Sequence, residues 1–129
     1  MTSILVTGSR DWPSPTLIKC FLDEFTIMIG QREDITLING GAKGVDVMSA
    51  DHWRQHGYGN VITVYPDWNL HGRKAGILRN IDMLNMDPTY VIAFIYNHSA
   101  GATHTYNEAM RRGMKAYAFR LDTQRGSEL

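Results

Sequence analysis

The stretch LINGGAKGVD, residues 37–46, joins a β-branched run to a polar segment with helical spacing through three glycines. A strand that passes through a short glycine turn into a helix is half of a βαβ unit, from which parallel α/β sheets are built. The start of such a helix leaves backbone N–H groups unpaired and carries partial positive charge. We therefore predict a phosphate-binding loop that comprises Gly40, Gly41, Ala42, Lys43 and Gly44. Lys43 would add a point charge to it.

The same strand–helix pattern repeats along the chain. Continuous apolar runs predict five strands buried on both faces, at 4–7, 35–38, 61–65, 90–95 and 116–119. Between them, helical spacing predicts helices from Pro15 to a stop at Gly30, and at about 45–56, 74–86 and 103–112. This order predicts a Rossmann-like α/β three-layer sandwich with a five-stranded parallel sheet in the order 3-2-1-4-5. Residues 1–121 would form one domain, and 122–129 a polar tail.

Composition narrows the class of protein. The 129 residues are 43% hydrophobic and 20% charged, which is typical of one globular domain. Lys plus Arg and Asp plus Glu both total 13, so no overall positive charge attracts nucleic acid. One cysteine excludes a disulfide within the chain, and no apolar stretch is long enough for a membrane span. We expect a cytoplasmic protein without a membrane partner.

The fold predicts where a ligand binds. In sheets of this order, ligands lie outside the carboxyl ends of the strands, where the strand order reverses. The loops after the first and fourth strands, TGSRDW and YNHSAGATH, meet there beside the glycine loop. They contribute candidate ligand-binding residues Gly8, Ser9, Arg10, Ser99, Gly101 and Thr103. Three loops rich in glycine and small polar residues at one edge favour an anionic ligand over simple tight turns.

The segment YPDWNLHGRKAGILRN, residues 65–80, adds further candidates. Arg79 and Asn80 lie near the start of the third helix, where an arginine fork suits a phosphate or carboxylate. Trp68 is a candidate stacking surface for a base. Arg73 and Lys74 are interpreted as solvated surface charges.

Known cofactor and metal motifs do not fit. The lysine of the glycine loop precedes its last glycine, unlike a Walker loop, and TGSRDW lacks the GxGxxG fingerprint. The spacing of His71, His98 and His104 matches no metal motif. We therefore predict no bound cofactor and no metal.

Whether the protein is an enzyme stays open at this stage. Cleavage of a glycosidic bond needs a carboxylate to polarise water or to stabilise a cationic sugar. Asp46 is the first candidate and Asp11 the second. Asp46 also fits a structural role, because an acid in the first turn complements the helix dipole and caps free N–H groups.

Four stretches together resemble the YspA-like branch of the SLOG superfamily, small Rossmann-like proteins of bacteria and phages. They are VTGSRDW, INGGAKGVDVMSADHW, YPDWNLHGRKAGILRN followed by a methionine, and NHSAGATHTYNEAMRRG. The resemblance implies a nucleotide or nucleotide-derived ligand in the same crevice, bound by a sensor or sequestering protein. It also implies a role in nucleotide signalling or phage–host conflict, and a homodimer or larger homo-oligomer.

Two related groups in that superfamily define the alternatives. The LOG phosphoribohydrolases cleave nucleotides with a PGGxGTxxE motif and an earlier arginine. Here Tyr106 stands where the glutamate is expected, and the first acid, Glu108, is rotated by about 200° around the helix. Arg79 would be the arginine, with Glu108 or Asp46 as the acid.

The DNA-processing protein DprA carries a similar loop, GGARGID, that binds DNA phosphate. Single-strand binders usually line a positive groove with aromatic residues, whereas this chain has no net charge. Nucleic acid is therefore the weaker alternative partner.

Overall fold

The structure, a computed structural model, describes residues 1–122 and contains one five-stranded, all-parallel sheet. The strand order is β3-β2-β1-β4-β5, which confirms the predicted fold class. The strands are β1 (Thr2–Gly8), β2 (Ile35–Asn39), β3 (Val61–Thr63), β4 (Tyr90–Tyr96) and β5 (Ala116–Leu121). The helices are α1 (Pro15–Ile29), α2 (Val45–His56), α3 (Trp68–His71), α4 (Ala75–Asn85) and α5 (Ala100–Arg111). A 3-10 turn (Gly72–Lys74) joins α3 to α4.

The two faces of the sheet bury different residues, because side chains alternate along a strand. On β1, Ile4 and Val6 pack into the larger cluster with α1 and α2, in which Phe25 and Trp53 are fully buried. Leu5, between them, packs into a second cluster with α4 and α5. Helices on both faces of a parallel sheet make the three layers that the sequence predicts.

Capping residues fix the ends of α1 as predicted. Ser14 accepts a hydrogen bond from the Leu17 amide at 3.2 Å, and Pro15 occupies the first turn. Gly30 ends the helix in the left-handed conformation, with φ of 72°. Such caps are worth about 1 kcal/mol each, and they can be recognised in sequence because they depend on neighbours along the chain.

Several element boundaries differ from prediction by one to three residues, and one helix is additional. Helix α5 begins at Ala100, three residues earlier than expected, because Gly101 is accommodated inside its first turn. β3 ends at Thr63 rather than at residue 65. The short α3 was not predicted; Asp67 caps it by accepting from the Leu70 amide at 3.0 Å. The predicted tail, apart from Asp122, lies outside the described residues.

Within residues 1–122, every helix is too short or too polar to cross a membrane.

Candidate functional site

A cavity of about 510 Å³ opens at the carboxyl edge of the sheet, between the ends of β1 and β4. Its volume falls in the range of roughly 300–1,000 Å³ typical of small-molecule sites. It is the crevice that the reversal of strand order creates. Four segments line it: the end of β1 with its loop, the glycine loop with α2, the turn into α4, and the start of α5. The lining residues are Thr7, Gly8, Arg10, Asp11, Ala42, Asp46, Arg73, Gly76, Ile77, Arg79, Asn80, Ser99, Gly101 and Ala102.

Arg79 is held in place by the backbone around the cavity. Its Nη1 donates to the carbonyl of Gly40 and, at 3.3 Å, to that of Val64. Its Nε donates to the side chain of Asn80 at 2.7 Å. Burial lowers the pKa of Arg79 from its ordinary value, although the nearby Asp46 carboxylate opposes that shift. The side chain is thus a preorganised cation in the cavity wall.

Asp46 is the buried acid of the site. Its Oδ2 accepts from the amides of Gly40 at 3.1 Å and Ala42 at 3.3 Å. Its Oδ1 is buried and has no hydrogen-bond partner among the described residues. Burial raises the pKa of Asp46 to about 6, although the two amides and Arg79 oppose the rise. The carboxyl group of Asp46 therefore gains or loses its proton around pH 6.

The glycine loop differs from the predicted open phosphate cradle. The amides of Gly40 and Ala42 donate to Asp46, and the amide of Gly41 donates to Asn39 Oδ1 at 2.8 Å. The amide of Val45 donates to the carbonyl of Ser9 at 3.3 Å. Side chains and backbone of the protein therefore occupy four of the N–H groups in this loop and at the start of α2. The loop supports the cavity wall, and Ala42 is the loop residue from 40–44 that lines it.

Gly44 shows why this loop needs glycine. Its φ is 85°, and a Cβ at this position would lie 2.5 Å from the carbonyl oxygen of Arg10. An L side chain would therefore be strained in the backbone and would collide with the neighbouring loop. This glycine lets the glycine loop pack against the loop after β1, where Arg10 lines the cavity.

Two helix starts face the cavity in place of the glycine loop. Ser99, Gly101 and Ala102 line it at the start of α5, a twelve-residue helix. Gly76 and Ile77 line it at the start of α4. The first turn of α5 has N–H groups without partners inside the helix and carries partial positive charge. Helix α4, in contrast, continues from the 3-10 turn, and its Ala75 amide donates to the carbonyl of Gly72. Together with Arg10, Arg73 and Arg79, the start of α5 makes the cavity suited to an anion.

The structure brings together about half of the predicted ligand-binding residues. Those that line the cavity are Gly8, Arg10, Ala42, Asp46, Arg79, Asn80, Ser99 and Gly101. Those outside its lining are Ser9, Gly40, Gly41, Lys43, Gly44, Trp68 and Thr103.

Three of the residues outside the lining have other positions. Ser9 is buried, and its hydroxyl accepts a hydrogen bond from the Tyr96 amide at 2.8 Å, which is a structural role. Lys43 is exposed. Trp68 is half exposed, and its indole lies over Gly76 at the rim.

Glu108, the third candidate catalytic residue, lies outside the cavity lining. Its carboxylate accepts from Arg111 Nε at 2.9 Å and from Arg112 Nε at 2.9 Å. These two arginines hold the pKa of Glu108 at about 2. The carboxylate of Glu108 thus forms ion pairs with two arginines of its own helical segment, which stabilise the end of α5.

Sequence reasoning missed several lining residues. Thr7, Gly76, Ile77 and Ala102 were not predicted, and Arg73 was interpreted as a surface charge. Arg73 lies in the 3-10 turn that joins α3 to α4, next to the residues of α4 that line the cavity. The available signal for this segment was Asp67, because aspartate is a preferred N-cap residue.

The parallel topology and the arginine-lined cavity at the strand reversal define a small Rossmann-like protein with a cationic cavity at the carboxyl edge of its sheet. The YspA, cpYpsA-related SLOG family profile matches residues 2–71. The chain is also 34% identical to the "Gene 61 protein" of Mycobacterium phage D29 over 125 residues, which is 92% of this chain and 97% of that protein. The protein belongs to this SLOG family. No solved structure is significantly similar to it.

Proposed function

We propose that the protein binds a nucleotide or nucleotide-derived small molecule in the cavity and acts as a sensor or sequestering protein. The observation that carries this proposal is the convergence of Arg10, Arg73 and Arg79 with the start of α5 on one cavity. Phosphate groups would bind at this cationic end. Membership of a SLOG family supports a nucleotide-related ligand over other anions.

The charges in the lining explain why an anion is preferred. Three arginines face two carboxylates, Asp11 and Asp46, so the lining carries one net positive charge when both acids are ionised. That charge rises by one when Asp46 binds its proton, with a pKa of about 6. A phosphate would also be attracted by the dipole of α5.

The test is calorimetry and thermal unfolding with a panel of nucleoside mono-, di- and triphosphates and pyrophosphate-linked dinucleotides. We expect one class to bind and to raise Tm, since a ligand of the native state stabilises it. Arg73→Ala should weaken this binding at least tenfold, because Arg73 is exposed in the lining and supports no described core contact.

The matched control is Lys43→Ala. Lys43 is the cation that sequence placed in the phosphate loop, but its side chain lies outside the cavity lining. Its removal should change affinity by less than about threefold. If Lys43→Ala weakens binding as much as Arg73→Ala, the assignment of the ligand to this cavity is wrong.

A second function is N-glycosidic hydrolysis of the bound nucleotide. The observation that favours it is the unpartnered Oδ1 of Asp46 among the described residues, on a carboxylate with a raised pKa in the cavity wall. Release of free base and ribose phosphate, abolished by Asp46→Asn while binding persists, would establish an enzyme. Recovery of intact nucleotide after prolonged incubation would exclude hydrolysis, and binding would remain the one proposed function.

Binding of single-stranded DNA is the third function and the least supported. A compact concavity with one net positive charge offers no extended track for a sugar-phosphate backbone along the described residues. DNA binding would be marked by an affinity that falls steeply with salt.

The phage relative supports a role in phage–host conflict and a location in the cytoplasm of a bacterial or phage-infected cell. The proposal includes a homodimer or larger homo-oligomer. Leu17, Ile27 and Met28 expose about half or more of their surface along α1, which is favourable for self-association. Sedimentation of the full chain over a range of concentrations tests this.

A further inference from the structure

A cluster of side chains that can act as metal ligands lies at the other end of α2 from the cavity. It consists of Asp23 on α1, His52 and His56 on α2, and Tyr58 just after α2. Asp46, in the first turn of the same helix, lines the cavity. Ten residues of helix separate Asp46 from His56, which is about 15 Å along the axis. The cluster is therefore independent of the nucleotide site.

The donor atoms of Asp23, His52 and His56 all lie within 4.8 Å of one another. His52 Nε2 is 2.7 Å from Asp23 Oδ1, and the two imidazole rings are 4.1 Å apart. His52 and His56 are four residues apart on one helix, so both rings project from the same face. A carboxylate and two imidazoles thus face a common point.

We infer that this cluster binds a divalent transition-metal ion of the Zn²⁺ type, through Asp23, His52 and His56. Imidazole nitrogen and carboxylate oxygen are ligands that Zn²⁺, Co²⁺ and Ni²⁺ accept, whereas Ca²⁺ and Mg²⁺ favour oxygen. Three protein ligands leave the fourth position of a tetrahedral ion to water.

The surrounding contacts match those that orient metal ligands. His56 Nδ1 is 3.1 Å from the His52 carbonyl oxygen, which can only accept, so Nδ1 carries the proton and Nε2 keeps its lone pair. Tyr58 donates to Asp23 Oδ1 at 2.6 Å and fixes the carboxylate. Hydrogen bonds of this kind to ligating histidines and carboxylates are general features of metal sites.

The position at the end of α2 also favours a cation. His56 is the last residue of the helix, where the unpaired carbonyls give the terminus partial negative charge. His52 Nδ1 is buried and has no hydrogen-bond partner in the described part of the chain. Among the described residues, the ring therefore has a hydrogen bond at Nε2 alone, to Asp23, while its faces pack against His56 and Tyr58.

Binding requires a small contraction of the cluster. Zn²⁺ forms bonds of about 2.0–2.1 Å to nitrogen and oxygen, which draws ligand atoms to within about 3.5 Å of one another. His56 is exposed and can rotate to close the remaining distance. His52 exchanges its hydrogen bond to Asp23 for a bond to the ion.

The experiment is titration of the full chain, without a histidine tag and after treatment with chelator, with ZnCl₂ by calorimetry and with CoCl₂ by visible absorption. We expect one ion per chain and the absorption of four-coordinate Co²⁺. Zn²⁺ should also raise Tm. His56→Ala should lower the affinity for Zn²⁺ at least tenfold and remove the Co²⁺ spectrum. Because the side chain of His56 is exposed, the variant should fold as the unaltered chain does, which circular dichroism can check.

His104→Ala is the matched control, because His104 is an exposed histidine on α5 outside the cluster. It should bind Zn²⁺ as the unaltered chain does. Asp23→Asn provides a second ligand variant that keeps the size of the side chain. Absence of stoichiometric binding, or equal losses in His56→Ala and His104→Ala, would overturn the inference.

Discussion

The guanidinium of Arg79 donates a hydrogen bond to the backbone carbonyl of Gly40, and so ties helix α4 to the glycine loop across the cavity. The same Nη1 donates to Val64 at the end of the sheet. Arg79 and Gly40 are buried, and Val64 is partly buried. The residue predicted to clamp the ligand also holds the site together.

Arg79→Ala should lower the free energy of unfolding by about 2–4 kcal/mol, since it leaves the buried carbonyl of Gly40 without its guanidinium donor. Urea denaturation measures this. Arg54→Ala is the control, because Arg54 is exposed and pairs with Asp51 at 3.7 Å; it should cost less than about 1 kcal/mol. If the two variants lost the same free energy of unfolding, Arg79 would have no structural role beyond that of an exposed arginine.

Asp46→Asn should change how stability depends on pH. The folded-state pKa of Asp46 is raised from 3.8 to about 6, so the native state binds this proton more tightly than the unfolded state does. Between about pH 4 and pH 6 the unaltered protein therefore loses stability from this group as pH rises, on the order of 2–3 kcal/mol in total.

The asparagine variant has no such proton, so its free energy of unfolding, relative to that of the unaltered protein, should increase over that interval. Urea denaturation at a series of pH values measures the difference. Asp51→Asn, a change to an exposed acid on the same helix, controls for the loss of a carboxylate as such. A difference between Asp46→Asn and the unaltered protein that does not change with pH would contradict the raised pKa of Asp46.

Gly8→Ala should be strongly destabilising. A Cβ on Gly8 would lie 2.5 Å from the Cβ of Val45, so strand β1 and helix α2 would have to separate. We expect a loss of about 1–3 kcal/mol, as for other overpacked cores. Thermal and urea unfolding measure it.

Gly101→Ala is the contrasting change. Nothing lies within 4 Å of the Cβ that it adds, and Gly101 is in the first turn of α5. Alanine should therefore stabilise the protein by a few tenths of a kcal/mol to about 1 kcal/mol. If Gly101→Ala destabilised it as Gly8→Ala does, the path of the chain at the start of α5 would be different.

Trp68 should report ligand binding. Trp12 and Trp53 are buried, whereas Trp68 is 50% exposed beside Gly76 at the cavity rim. A bound base that stacks on Trp68 should change its fluorescence, and Trp68→Ala should weaken binding by about 1–3 kcal/mol. Leu70→Ala, a change to an exposed residue on the same short helix, should leave affinity unchanged. If Trp68→Ala bound the nucleotide with unchanged affinity, the base would not stack on Trp68.

The sequence by itself determined the fold, because the signals were local. Apolar runs marked strands buried on both faces, and Ser14 and Gly30 marked the ends of α1 through contacts with nearby residues. Strand order followed from the alternation of strands and helices with right-handed crossovers. The order in turn located the crevice and, with it, Arg10, Arg79 and Ser99.

The tertiary structure alone decided which backbone amides are free. Sequence shows three glycines before a helix, but it does not show that Asp46 folds back onto Gly40 and Ala42. It also does not show that a turn brings Arg73 into the lining, or that Asp23 meets His52, 29 residues further along. These contacts depend on backbone angles and on the packing of separate elements, which no local pattern records.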